Sequence, residues 1–276
     1  MLSKREKRAA LLKDLESSFH CPQCGSSLVL FEAKSLRCTR GHSFDLAKQG
    51  HVYLLKKHNV SNYTKDLFAA RSNVINSGIY DNMHNAIAEE LPDSSLRLLD
   101  AGCGEGSHLI ALRKKIKFSG IGADTAKAGI ELAAKQDDQL LWLVADLADS
   151  PFQEHSFDVI LNLFSPANYE EFKRISRNGG KIIKAVPGKD YLKEIRELTG
   201  EKAYDNAEVT AGFTRAFSNP GRKKLTYSFS VPKELRREIL LMTPLSWKYK
   251  ESEEIMKKAE NLKAITIDVE ILTAEL

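Results

Sequence analysis

The sequence predicts an α/β fold: a Rossmann-like parallel sheet covered by helices on both faces, with a small metal ribbon at the N-terminal end. Three observations predict it. The run Leu98-Leu99-Asp100-Ala101-Gly102-Cys103-Gly104-Glu105-Gly106-Ser107 reads as a buried strand, a glycine loop and the opening of a helix. From residue 96 onward, apolar strand patterns alternate with helical ones, as a parallel sheet covered on both faces requires. Ahead of them, Cys21-Pro22-Gln23-Cys24 and Cys38-Thr39-Arg40-Gly41-His42 form a C-x2-C and a C-x3-H turn thirteen residues apart. Such a pair of turns supplies the four soft ligands of a closed tetrahedral site.

The chain has 276 residues, 42% of them hydrophobic, enough for one large domain or two smaller ones with a sizeable core. No apolar run is long enough to span a membrane. Met1 to Phe19 is charged and lacks the apolar core of a signal peptide, so the cytoplasm is the default compartment. The net charge of +4 is unevenly placed. Residues 1–60 hold eleven Lys and Arg against five acids, while the remainder is slightly acidic. That asymmetry points to a polyanion met by the N-terminal end.

In chain order, residues 1–19 form a basic extension, with Leu11, Leu12 and Leu15 at helical spacing, expected to be loosely attached. Residues 20–56 form a zinc ribbon with ligands Cys21, Cys24, Cys38 and His42. His42 completes the second turn and is preferred to the neighbouring His20 and His51, which are expected to be surface histidines. Four protein ligands leave no open position, so the zinc is structural. Residues 57–95 are a polar linker, Lys56 to Asp66, and a helical lead-in, Phe68 to Leu91, broken at Gly78. Residues 96–276 carry the sheet. Expected strands end in Asp124 and Asp146, a fourth runs from Phe157 to Phe164, and a fifth spans Lys181 to Val186. Residues 200–222 look like a polar insertion near the substrate. Lys223 to Val231 and Ala264 to Leu276 would close the sheet.

Ligands of such sheets bind beyond the carboxyl ends of the strands. Asp100, Asp124, Asp146 and Asn162 all fall there, in register with Gly102 and Gly104. Asp124, about twenty residues past the loop, is placed to hold both hydroxyls of a ribose, and Asp146 stands where this fold class usually contacts adenine. Arg37 and Arg40 flank the second metal turn and are expected to meet phosphates. Trp247 either stacks on a base or caps the core. Glu170 and Glu171 are candidate bases, and neither is assigned.

The loop resembles the first motif of Rossmann-like S-adenosylmethionine-dependent methyltransferases, in which the acid faces the methionine end and the loop lies under the nucleoside. Two further stretches narrow the resemblance. They are Gly41-His42-Ser43-Phe44-Asp45-Leu46-Ala47-Lys48-Gln49-Gly50 after the ribbon and Met242-Thr243-Pro244-Leu245-Ser246-Trp247 near the end. With these the chain resembles, over residues 20–276, the RlmA family of bacterial 23S rRNA (guanine-N1-)-methyltransferases. The resemblance implies a ribbon that recognises an rRNA hairpin and a domain that methylates it. It also implies cofactor contacts at Tyr80, Gly104, Glu105, Asp124 and Tyr191, and a homodimer. Two other classes fit parts of the pattern: a small-molecule methyltransferase whose ribbon contacts proteins, and a non-enzymatic RNA-binding protein with a relict cofactor fold.

Overall fold

A computed structural model describes residues 4–56, 63–92, 96–249 and 252–276. Helix α1 (Lys4–Leu15) leads into the ribbon, an antiparallel sheet of β1 (Leu28–Phe31), β2 (Ser35–Cys38) and β3 (Ser43–Asp45). Strand β4 (His51–Tyr53) follows, then α2 (Lys65–Val74) and α3 (Asp81–Glu89). Between these helices Gly78 adopts φ 91°, a left-handed conformation that glycine reaches without steric cost, and the chain kinks there. Next come β5 (Arg97–Ala101), α4 (Ser107–Arg113), β6 (Ser119–Asp124), α5 (Lys127–Gln136), β7 (Leu141–Val144) and β8 (Phe157–Leu163). The remainder is α6 (Tyr169–Ile175), β9 (Ser176–Pro187), α7 (Lys193–Thr199), α8 (Ala207–Ala216), β10 (Gly221–Ser230), α9 (Arg236–Leu241), α10 (Glu253–Ala259) and β11 (Ala264–Glu275).

The large sheet has eight strands in the order β10-β11-β9-β8-β5-β6-β7-β4. Strands β4 to β9 of this sheet run parallel, and β10 and β11 add an antiparallel edge. The order reverses at β5, which lies between β6 and β8, so the crevice at its carboxyl end is the expected ligand position. The glycine loop sits there. A Cβ on Gly106, at φ 76°, would run into the ring of Trp142 from β7. That close fit explains why the loop needs glycine there.

Apolar side chains alternate across the central strands and form two cores. One holds Leu98, Trp142 and Leu161 with α3, α4, α7 and α9. The other holds Leu99, Ile121 and Ile160 with α1, the ribbon, α6 and α8. The connection from β7 to β8, residues 145–156, carries no helix. Helix α1 packs over that part of the sheet instead, with Leu12 and Leu15 buried.

Three expectations are corrected here. The N-terminal extension is not loosely attached. Arg8 is fully buried against Gly50 and donates to the Asp137 carbonyl, and Lys7 pairs with Asp138 at 2.6 Å. Phe19 forms an antiparallel bridge with Phe152, held by His20 N–H to Pro151 O (2.9 Å) and Gln153 N–H to Ser18 O (2.9 Å). His51 is not a surface histidine. It is buried in β4, which pairs with β7 in the large sheet. The insertion is not polar throughout: it contains α8, and Phe213 of that helix and Phe217 just after it are buried against Tyr169. Most of the expected linker lies outside the described residues.

Candidate active site and metal centre

At the ribbon, two turns bring four donor atoms together. Gly25 N–H returns to Cys21 O at 2.8 Å and Gly41 N–H to Cys38 O at 3.0 Å, folding each turn so that its ligands face the other. The ligand atoms of Cys21, Cys24, Cys38 and His42 lie within 4.8 Å of one another. His42 Nδ1 stands 3.4 Å from both the Cys21 and the Cys38 sulfur, and the Cys24 and Cys38 sulfurs are 3.8 Å apart. Zinc–sulfur bonds of about 2.3 Å at tetrahedral angles require sulfur edges of roughly 3.8 Å. The donor set therefore fits a closed, structural zinc. His20 and His51 are not among the four.

Beyond the carboxyl end of β5 lies a cavity of about 970 Å³. Asp100, Gly102, Gly104, Glu105 and Asp124 line one part of it. Asp100 is 1% exposed, and neither carboxyl oxygen has a hydrogen-bond partner. Burial, then the like charges of Asp124 and Glu105, push its pKa up to about 8. An unpartnered carboxyl on a cavity wall is a receptor for a cationic donor. Asp124 accepts from Gly104 N–H (2.9 Å) and Ala126 N–H (2.7 Å), so it also pins the glycine loop to the end of β6. Glu105 is buried with Arg71 at 3.9 Å, and burial raises its pKa to about 7 against the pull of that guanidinium.

An aromatic wall closes the cavity. The hydroxyls of Tyr80 and Tyr191 are 2.5 Å apart, Phe164 stacks on Tyr191 at 5.4 Å, and Tyr80 meets His108 edge-on at 5.1 Å. Electron-rich ring faces favour a cation. Arg71 donates to Met242 O (3.2 Å), which ties α2 to Met242, Thr243, Pro244 and Leu245 at the rim. The late Met-Thr-Pro motif thus reaches the site.

Two expected contacts fall elsewhere. Asn162 is fully buried and lies outside the cavity lining; its amide nitrogen donates to Ala101 O (2.8 Å) and Pro166 O (3.0 Å), and its Oδ1 accepts from the Lys184 ammonium, so its polar atoms are spent within the protein. Asp146 is exposed, caps the turn at Ala148 N–H (2.8 Å) and does not line the cavity. Glu170 pairs with Lys173, and Glu171 with Arg174 and Ser150, so neither candidate base faces the cavity. The side chain of Trp247 lies outside the described residues.

Residues 19–59 match a zinc-ribbon family profile described as RlmA, N-terminal, and residues 98–180 match a methyltransferase domain profile. YxjB of Bacillus subtilis, named by inference as a 23S rRNA (guanine-N(1)-)-methyltransferase, is 40% identical, covering 93% of this chain and 96% of that protein. The chain belongs to the RlmA family. Another RlmA relative, the 23S rRNA (guanine(748)-N(1))-methyltransferase of Streptomyces fradiae, is 27% identical over 92% of this chain and 94% of its own length. Among solved structures, phosphoethanolamine N-methyltransferase 2 of Haemonchus contortus with S-adenosyl-L-methionine superposes with a TM-score of 0.51 at 14% identity. That match covers 78% of this chain and 58% of the other, and the likeness is one of fold.

The site of this RlmA chain also contains residues that sequence reasoning missed. His108 lines the cavity and its Nδ1 lies 2.9 Å from His84 Nε2; burial lowers the pKa of both, that of His84 to about 4, so neither carries charge at neutral pH. Tyr204, Val209 and Gly212 reach the cavity from α8 and the segment before it, within the insertion expected near the substrate, although none was singled out as a contact. Lys184 does so from the middle of β9, and a lysine inside the apolar run Ile182-Ile183-Lys184-Ala185-Val186 was a readable signal.

Proposed function

We propose that this protein transfers a methyl group from S-adenosylmethionine to N1 of a guanine in a 23S rRNA hairpin loop. The observation that carries the reading is the joining of a basic, zinc-binding ribbon to a cavity that holds an unpartnered buried carboxyl. The joint is the Phe19–Phe152 bridge and the buried helix α1, so ribbon and cavity keep a fixed geometry.

When bound, S-adenosylmethionine supplies an electrophilic methyl group on a sulfonium. Asp100 would receive the amino group of the cofactor, whose positive charge would favour the ionised carboxylate and send the carboxyl proton to solvent. Asp124 would accept from the ribose hydroxyls, Gly102 and Gly104 would let the backbone lie close to the nucleoside, and the Tyr80, Phe164 and Tyr191 wall would suit the sulfonium. Residues so placed would orient the methyl donor toward an extruded base, and positioning supplies much of the rate of such a transfer. Glu170 and Glu171 of α6 do not face the cavity, so neither is placed to take the guanine N1 proton.

On the ribbon, Arg37 and Arg40 are exposed, and the Arg37 guanidinium lies 3.7 Å over the Phe31 ring. Phe31 is 39% exposed, a flat surface on which an unpaired loop base can stack. The arginines neutralise phosphates and fix register, while the cavity reads one base. The protein acts in the cytoplasm, where ribosomal RNA is, and as a homodimer, as the family resemblance implies. Among the described residues no helix is long and apolar enough to cross a membrane.

The test compares the full chain with Arg37→Glu/Arg40→Glu on a 23S rRNA fragment. The reversal weakens RNA binding, flattens its salt dependence by about two counterions and leaves cofactor affinity unchanged. Methylation at the wild-type rate by the reversed protein would remove the ribbon from RNA recognition.

A further inference from the structure

Lys184 sits in the middle of β9, in register with Asn162 of β8. It is 2% exposed, yet it is among the residues lining the cavity, as is Ser165, to whose carbonyl its ammonium donates. The ammonium donates to Asn162 Oδ1 and to Ser165 O, the latter at 2.8 Å. Asn162 is itself fixed by its bonds to Ala101 O and Pro166 O, which aims Oδ1 at the lysine. Two of the three ammonium donors are thus used. Among the described residues no carboxylate makes an ion pair with it. The carboxylates of the cavity, Asp100, Glu105 and Asp124, come from β5, the glycine loop and β6, beyond β8. Arg196 and Tyr169 are the titratable groups that line the cavity from α7 and α6, and the register partner on β11 is Leu272. Burial is what acts on the lysine, lowering its pKa to about 8.

A buried cation without a counter-charge is costly, and an apolar side chain of the same volume would serve packing better. Its place suits an anion that forms only during reaction. Neutral guanine carries a proton on N1 and is a poor nucleophile there. Loss of that proton leaves a negative charge shared between N1 and O6.

We propose that Lys184 donates its third hydrogen bond to O6 of the target guanine and stabilises this anion. The assignment rests on the reading of the cavity as a guanine-N1 methylation site. The N1–H bond breaks and its proton goes to water. The N1 lone pair then forms the N1–CH3 bond while the carbon–sulfur bond breaks, its electron pair remaining on sulfur. Lys184 keeps its own proton throughout.

The experiment measures single-turnover methylation of a 23S rRNA fragment by the full chain between pH 6 and 9, with Lys184→Met and Lys184→Gln. Loss of a donor to a developing oxyanion slows such steps about 100-fold or more. Both variants are expected to show that loss at pH 7, with cofactor affinity by calorimetry unchanged. Their rates should climb with pH, so that the deficit narrows as hydroxide deprotonates more of the guanine N1 unaided and as the wild-type lysine itself loses its proton near pH 8. A wild-type rate in either folded variant overturns the assignment. So does a deficit of the same size at every pH, which is what a packing defect gives. If Lys184→Met does not fold, Lys184→Gln, which keeps a neutral donor, carries the comparison. A wild-type protein that binds the fragment and cofactor but puts no methyl on guanine N1 refutes the underlying reading, and the assignment falls with it.

Discussion

Substituting Asp100 by Asn should stabilise the ligand-free protein while weakening its hold on the cofactor. The carboxyl is 1% exposed, lacks hydrogen-bond partners and has its pKa raised from 3.8 to about 8 by burial, with Asp124 and Glu105 adding to the shift. In the unfolded chain it ionises near the lower value. At pH 7 the folded protein therefore holds a proton that the unfolded chain has released, and stability falls as pH rises from 3.8 towards 8. Each pH unit costs about 1.4 kcal/mol, so the penalty at pH 7 is on the order of 4 kcal/mol. Asn removes the ionisation and leaves an amide that also lacks partners, at a cost of about 1–3 kcal/mol. The expected net gain is about 1–3 kcal/mol at pH 7 and close to zero at pH 5. Urea denaturation of both proteins at the two pH values measures it. Calorimetry supplies the second half. Binding of S-adenosylmethionine to the wild type near pH 7 should release a proton from Asp100, making the heat depend on the buffer's own ionisation heat. In Asp100→Asn that contribution disappears and affinity drops. An unchanged affinity, or a stability difference independent of pH, would refute the reasoning.

Asp124→Ala should weaken S-adenosylmethionine binding by more than the roughly 1.5–3 kcal/mol of one charged hydrogen bond, because the same carboxylate holds Gly104 N–H and Ala126 N–H; calorimetry reads the loss. Cys38→Ser should abolish the stoichiometric zinc found by elemental analysis and loosen residues 20–46, seen as faster amide exchange there, while β5 to β9 stay protected. Full protection of the ribbon in the metal-free variant would contradict a structural metal.

The glycine loop and the paired ligand turns were legible because each needs particular residues at fixed spacing. Strand and helix alternation placed β5 to β9 for the same reason: buried parallel strands read as continuous apolar runs. What was not legible depends on partners distant in sequence. Helix α1 buries Arg8 and Ala9 beside Leu12 and Leu15, and a buried arginine does not mark an apolar side in the sequence; the bare sheet face it covers exists because residues 145–156 form no helix. Strand β4 is three residues long and joins β7 across nearly ninety positions. Asn162 and Asp146 stand at strand ends, as the rule for ligand positions asks, but the rule cannot tell a side chain facing the crevice from one turned to backbone. Lys184 was legible as an anomaly and was passed over as one more strand residue.

The central claim is that ribbon and cavity together deliver a methyl group to guanine N1 of 23S rRNA. Nucleoside mass analysis of a 23S rRNA fragment, after incubation with the purified protein and methyl-labelled S-adenosylmethionine, tests it most directly. Primer extension on the same sample locates the site, since a methyl on N1 blocks base pairing. The account predicts label in N1-methylguanosine at a single hairpin-loop position. Label in any other nucleoside, or an unlabelled fragment with cofactor and zinc both bound, would contradict it.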